Sequence, residues 1–143
     1  MKLIVASDEK TDLTDSIVDY LKSQGHALTL LGHLKDENKK WKWVDIGKEA
    51  AQKVVDGEVD YGIIMCWTGT GICMAANKVK GARAALCWSS DIAKGARKWD
   101  NANILCLAYG FIDEDTTKKI IDVFLKEKFD EEDLNEAYKL DEG

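Results

Sequence analysis

Five short apolar runs recur along the chain, and a stretch of helical periodicity follows each of them. The runs are Leu3 to Ala6, Ala27 to Leu31, Tyr61 to Met65, Ala82 to Cys87 and Ala102 to Ala108. Strands that are apolar on both sides, with helices between them, are those of a parallel sheet covered on both faces. The helical segments carry their own punctuation. Thr11 or Asp12 can cap a helix through about Gln24, with Leu13, Ile17, Val18 and Leu21 on one face and Gly25 as its stop. Asp45 to Val55 reads as a second helix, and a third opens at Ile72. Ser89, Ser90 or Asp91 caps a fourth through about Trp99, and Asp113 to Lys126 forms a long last one with Ile120, Ile121, Phe124 and Leu125 on one face. The expected fold is α/β: a three-layer, doubly wound, Rossmann-like five-stranded parallel sheet in the order 2-1-3-4-5 with right-handed crossovers.

At 143 residues the chain is long enough for one full core, so 1–128 is read as a single α/β domain. Residues 129–143 are strongly acidic and are read as an arm that contacts a partner chain. The formal net charge of −6 argues against nucleic acid or an anionic membrane as the main partner. No run is long enough to span a bilayer, and a cytoplasmic location is the default expectation. Four cysteines are present, Cys66, Cys73, Cys87 and Cys106, mostly in or beside apolar runs, which fits reduced, buried side chains. Their spacing matches no CxxC pattern, and the two histidines, His26 and His33, lie elsewhere. Neither a metal nor a cofactor is expected.

The chemistry concentrates in Tyr61 to Lys78, where a strand breaks into Cys66-Trp67-Thr68-Gly69-Thr70-Gly71 and a helix opens from Ile72. A glycine turn that opens a helix gathers unpaired backbone N–H groups at one point, which suits an anion. Thiolate formation is favoured near a helix N-terminus, so Cys66 reads as a base or nucleophile beside an oxyanion site. In open α/β sheets the ligand sits beyond the carboxyl ends of the strands where the strand order reverses. Asp8 and Glu9 end the first strand and Cys66 ends the third, so pattern and topology point to one crevice. The turn is a poor fit to a dinucleotide fingerprint and lacks the GK[ST] of a phosphate loop.

Those residues carry a resemblance. The opening strand ending in Ser7-Asp8-Glu9, Asp45, the block DYGIIMCWTGTGICMAANKVKGARAAL and the segment Asp100 to Leu105 resemble the ribose-5-phosphate isomerase B and galactose-6-phosphate isomerase family, in register to about residue 128. The resemblance implies aldose–ketose interconversion through a cis-enediolate. It assigns Cys66 as the base, Thr68 as a residue beside the sugar and Asp8 as an acid that holds substrate hydroxyls. The N–H groups of Gly69, Thr70, Gly71, Ile72 and Cys73 would receive the enediolate charge. It also implies a homodimer or tetramer whose site is completed by the partner chain.

Departures from the family pattern bear on the substrate. Glu9 and Trp99 stand where family members carry histidines, and an indole cannot take the proton of ring opening. The family's phosphate-binding arginines are missing: the corresponding regions read Tyr109-Gly110 and an acidic tail, and the chain has only Arg83 and Arg97. A phosphate is normally met by Arg or Lys. The reading is a sugar isomerase whose substrate is not a standard sugar phosphate, with Asp8, Glu9 and Asp100 bonding hydroxyls and Trp67 or Trp99 stacking on the sugar. Lys10, Lys94 and Lys98 are the cations that could restore a phosphate site. The competing reading is a non-catalytic partner subunit or sugar-binding module; a nucleotide- or flavin-binding module rests on fold analogy alone.

Overall fold

The computed structural model of the chain describes residues 1–142. Strands and helices alternate: β1 (Lys2–Ser7), α1 (Asp12–Ser23), β2 (Ala27–Gly32), α2 (Trp43–Val55), β3 (Tyr61–Cys66), α3 (Thr70–Asn77), β4 (Ala84–Leu86), α4 (Ser90–Lys98), β5 (Ile104–Ala108) and α5 (Glu114–Lys126), followed by a short α6 (Leu134–Lys139). Local chemistry sets the ends. Thr11 caps α1 by accepting from the Thr14 N–H, and Thr14 returns the favour to the Thr11 N–H, a reciprocal capping box. Ser89 and Asp113 cap α4 and α5 in the same way, accepting from the N–H groups of Ile92 and Thr116. The second helix starts at Trp43, two residues earlier than its acidic start signal at Asp45 indicated.

Among the described residues the five strands form one parallel sheet in the order β2-β1-β3-β5-β4. This corrects the expected 2-1-3-4-5 by exchanging the last two strands. Burial gives the reason. Ile104 to Leu107 of β5 are fully buried, whereas β4 is three residues long and half-buried throughout. A long strand that is dry on both faces needs a neighbour on each side, and a short half-wet strand is the better edge.

The exchange also decides which face each helix covers. With right-handed crossovers, a step back from β4 to β5 carries α4 to the face opposite α3. Accordingly α1, α4 and α5 cover one face through Ile17, Leu21, Ala93, Ala96, Ile120 and Phe124, packed on Leu3, Val5, Met65, Leu105 and Leu107. The other face is covered by α2 and α3 through Ile46, Ala50, Ala51, Ile72 and Ala76, packed on Ile4, Ala6, Ile64, Cys66 and Cys106. Alternate residues of each strand feed the two cores, as a pleated strand requires.

In the tail, Ala137 is buried and Asp141 pairs with Arg83 of the same chain at 2.9 Å. The arm therefore has an attachment on its own domain.

Candidate active site

The strands deliver three loops to one point. β1 is hydrogen-bonded to β3, with Ser7 opposite Met65, and β3 to β5, with Cys66 opposite Ala108. The residues just past those ends are Asp8, Trp67 and Tyr109. Backbone bonds join two of the loops directly: the Tyr109 N–H donates to the Cys66 carbonyl at 3.2 Å, and the Gly110 N–H to the Trp67 carbonyl at 3.0 Å.

Cys66 ends β3 on the α2/α3 face, packed in the same cluster as Ile72 of the first turn of α3. It keeps 6% of its surface exposed, so the residue is buried without being fully sealed. Between them Gly69 caps α3 in the left-handed region at φ 72°, a conformation that favours glycine. The first bond inside the helix runs from the Cys73 N–H to the Gly69 carbonyl at 3.2 Å. The amides before it point out of the helix end. Those of Gly69, Gly71 and Ile72 have no protein acceptor among the described residues. The Thr70 N–H has a long bond of 3.4 Å to Thr68 Oγ1, and the two threonine hydroxyls are 2.7 Å apart. The expected donor set is thus corrected at one end: the Cys73 N–H is committed to the helix. Ile72 is fully buried and can offer only its amide.

The Cys73 thiol has its own surroundings. Cys106 donates to it and lowers its pKa, against the opposing effect of burial, while burial raises Cys106 far above the usual thiol range. Burial also pushes the Cys87 thiol up to about 12. All four cysteines are free thiols. Asn77 holds the far end of α3 to β4, with its side-chain amide bonded to both the N–H and the carbonyl of Ala84 at 2.8 and 2.9 Å.

Across the crevice, Asp8 Oδ1 accepts a bond from the Tyr109 hydroxyl at 2.9 Å. The Asp8 pKa is raised: burial is the main cause and Glu9 adds to it, while the Tyr109 bond pulls the other way. Glu9 is exposed, and its Oε2 lies 3.8 Å from His33 Nδ1. The loop between them is closed by Ser7, whose buried hydroxyl accepts the Glu9 N–H at 3.2 Å. On the rim the Trp67 indole is 60% exposed and lies 5.0 Å, centroid to centroid, from the Phe111 ring. Trp43 leans over Gly71, where an added Cβ would meet its ring at 3.0 Å.

Trp99 and Asp100 are not brought to this point within one chain. α4 runs from the carboxyl edge back to the amino edge of the sheet, so Asp100, which follows Trp99 at its end, emerges beside Arg83 and Ala102, just before β4 and β5. Trp99 is 55% exposed and rests on Gly95; burial raises the Asp100 pKa. Two residues at the crevice were absent from the expected set, Tyr109 and Trp43. The signal for Tyr109 was its position just past the end of the fifth strand.

Neither arginine of the chain stands in for the missing ones at the crevice. Arg83 bonds the carbonyls of Gly81 and Asn101 and pairs with Asp141; Arg97 is buried and bonds the Ala102 carbonyl. Lys10 pairs with Asp15 at 2.7 Å, and Lys98 lies 5.7 Å over the Trp99 ring. Among the described residues no cluster of His, Cys, Asp and Glu could hold a metal, and no helix is long and apolar enough to cross a membrane.

The chain is similar to known proteins in both sequence and fold. A family model described as Ribose/Galactose Isomerase matches residues 3–141. Galactose-6-phosphate isomerase subunit LacB of Clostridium acetobutylicum is 40% identical over 118 residues, covering 82% of this chain and 67% of that protein. A 4-deoxy-4-sulfo-D-erythrose isomerase from a Clostridium species is 35% identical over 108 residues, 75% of this chain and 67% of that one. The solved ribose-5-phosphate isomerase B of Clostridium thermocellum superposes with a TM-score of 0.92 at 36% identity, covering 99% of this chain and 96% of that one.

Proposed function

The chain belongs to the ribose/galactose isomerase family, and from that premise we propose that it interconverts an aldose and a ketose through a cis-enediolate, with Cys66 as the base. The Cys66 thiolate takes a proton from the carbon next to the carbonyl. The electron pair moves onto the carbonyl oxygen, which becomes the enediolate oxygen facing the amides of Gly69, Gly71 and Ile72. Thr68 lies beside the reacting oxygens, and the proton returns to the neighbouring carbon. The observation that carries this reading is Cys66 packed beside the first turn of α3 with those three amides unpaired. One such donor contributes a factor of about 10²–10³ to turnover.

The substrate reading follows from charge. Asp8 and Glu9 line the crevice, and both arginines are engaged elsewhere. Two like unit charges about 5 Å apart repel by roughly 3 kcal/mol at an effective dielectric of about 20, and a phosphate near pH 7 carries nearly two. The substrate is held by its hydroxyls, through Asp8 and Glu9, and its far end is uncharged or singly charged. A relative named for a sulfo sugar supports the view that this scaffold is not tied to phosphate. Trp99 and Asp100 reach such a substrate only from a second copy of the chain, which is the role we give the partner.

The test is turnover of ribose 5-phosphate against free tetroses, pentoses and hexoses and a 4-sulfo tetrose, with solvent-deuterium incorporation as readout. Efficient turnover of the phosphate defeats the substrate reading. Cys66→Ala should lower turnover by about 10²–10⁴ and abolish deuterium incorporation while the fold persists. Full activity in Cys66→Ala removes the base. A second reading, a partner subunit with no turnover of its own, is favoured by a relative that is itself named as a subunit; Cys66-dependent turnover by the purified chain alone excludes it.

A further inference from the structure

We propose that Tyr109 is the positioning residue of this site: it ties the acid to the base and keeps Asp8 ionised and aimed at the substrate. This rests on the isomerase reading above and adds to it a residue that neither composition nor spacing had singled out.

The geometry is that of a bracket. The Tyr109 N–H donates to the carbonyl of Cys66 at 3.2 Å, and its hydroxyl donates to Asp8 Oδ1 at 2.9 Å. One residue thereby bonds the strand end that carries the base and the carboxylate on the neighbouring loop. Its ring packs against the core beneath α1, α4 and α5, which leaves the hydroxyl little freedom to swing away. Asp8 is only partly buried and has no other hydrogen-bond donor from a side chain among the described residues. Without the phenol, a half-buried carboxylate next to Glu9 would gain from taking up a proton. A protonated Asp8 accepts hydroxyl hydrogen bonds poorly and gives one instead, so it would grip a polyol differently.

The charged and titratable groups around Asp8 are few. Glu9 comes from its own loop, His33 from the loop after β2, Tyr109 from the end of β5 and Cys66 from the end of β3. Glu9 raises the Asp8 pKa and His33 lowers it, both less than the Tyr109 bond does. Burial in turn, together with the bond to Asp8, holds the Tyr109 hydroxyl well above the ordinary phenol range, so it remains a donor throughout the working pH range.

The experiment compares the wild-type chain with Tyr109→Phe, which keeps the ring and removes the hydroxyl. The Asp8 side-chain carboxyl is titrated by carbon-13 NMR, and kcat/KM is measured against pH on the best substrate of the panel. Loss of a hydrogen bond to the charged form should raise the Asp8 pKa by roughly one unit and carry the acidic limb of kcat/KM upward by the same amount. Above both limbs the variant should recover most of its kcat. An Asp8 titration that is the same in both proteins overturns the proposal. So does a shifted titration with an unmoved acidic limb, or a loss of kcat that is equal at every pH, which is what a purely structural tyrosine would give. If the wild-type chain turns over nothing, the isomerase reading has failed; the NMR titration still decides whether Tyr109 controls Asp8.

Discussion

Gly69→Ala is the substitution whose cost can be worked most directly from the structure. Gly69 has φ 72°, and a Cβ built there lies 2.5 Å from Leu86 Cδ1, 3.0 Å from the Leu107 carbonyl carbon and 3.1 Å from the Ala108 nitrogen. The leucine methyl can rotate away. The other two atoms are backbone of β5, which is bonded to β3 from Gly62–Ile104 to Cys66–Ala108 and cannot retreat without stretching that ladder. Left-handed backbone costs an alanine about 1–2 kcal/mol, and overpacking adds about 1–3. The sum, about 2–5 kcal/mol, should lower the Tm by roughly 6–15 °C in a domain of this size. Gly25→Ala is the control, because Gly25 has φ 84° but nothing within 4 Å of an added Cβ; it should show only the conformational share. The turn relieves its clash by moving its amides off the crevice, so kcat should fall by about 10²–10³, the effect of losing one oxyanion donor. Thermal melts and kcat are measured on the same preparations, below the variant's transition. A Gly69→Ala protein that melts with Gly25→Ala and keeps its kcat within about threefold would refute both the tight seat against β5 and the role of the amides.

Two further outcomes concern parts away from the chemistry. The Tyr20 hydroxyl donates to Asp122, which joins α1 to α5 and raises the Tyr20 pKa to about 12. A folded pKa above the unfolded value of about 10 means stability that is present below pH ~10 and lost as pH rises toward 12. Urea midpoints of wild type and Tyr20→Phe should therefore differ below pH ~10 and converge above it; a constant difference would refute the linkage. Asp141→Ala removes the pair with Arg83, whose side chains are 32% and 18% exposed. Limited proteolysis should then cut the tail faster with little change in Tm, since partly exposed ion pairs contribute about 1 kcal/mol or less; an unchanged cleavage rate would show that the tail is held by other contacts.

The strands, the helices and the central turn were legible because they are written in local chemistry. Thr11, Ser89 and Asp113 cap helices at the positions where their types indicate. Strand order was not legible to the same depth. It depends on comparing the burial of β4 and β5, and Ala82 to Cys87 and Ala102 to Ala108 look alike as apolar runs. The half-buried character of Ala84 to Leu86 exists only once the sheet is formed. The missed residue follows from the same exchange. With β5 beside β3, Ala108 lies opposite Cys66 and Tyr109 follows it, and the bond to Asp8 becomes possible.

The exchange also bears on how Trp99 should be understood. Because β4 to β5 is a backward step, α4 lies on the same face as α5, and like every helix that joins two parallel strands it ends at the amino edge of the sheet. On the proposed assembly, a side chain at position 99 acts on a sugar at Cys66 of a second copy rather than of its own chain. In that proposal the histidine that family members carry at this position would serve a neighbouring copy, and so would the indole of Trp99. In that proposal a change at 99 leaves undisturbed the bracket of Cys66, Tyr109 and Asp8, which one chain builds alone. The proposal thus separates ring opening, which it gives to the partner, from proton transfer, which it gives to the chain's own strand ends. A substrate already in its open form makes no demand on position 99. For such a substrate Trp99→His should leave kcat unchanged, whereas for a furanose it should raise turnover; equal effects on both would contradict the division.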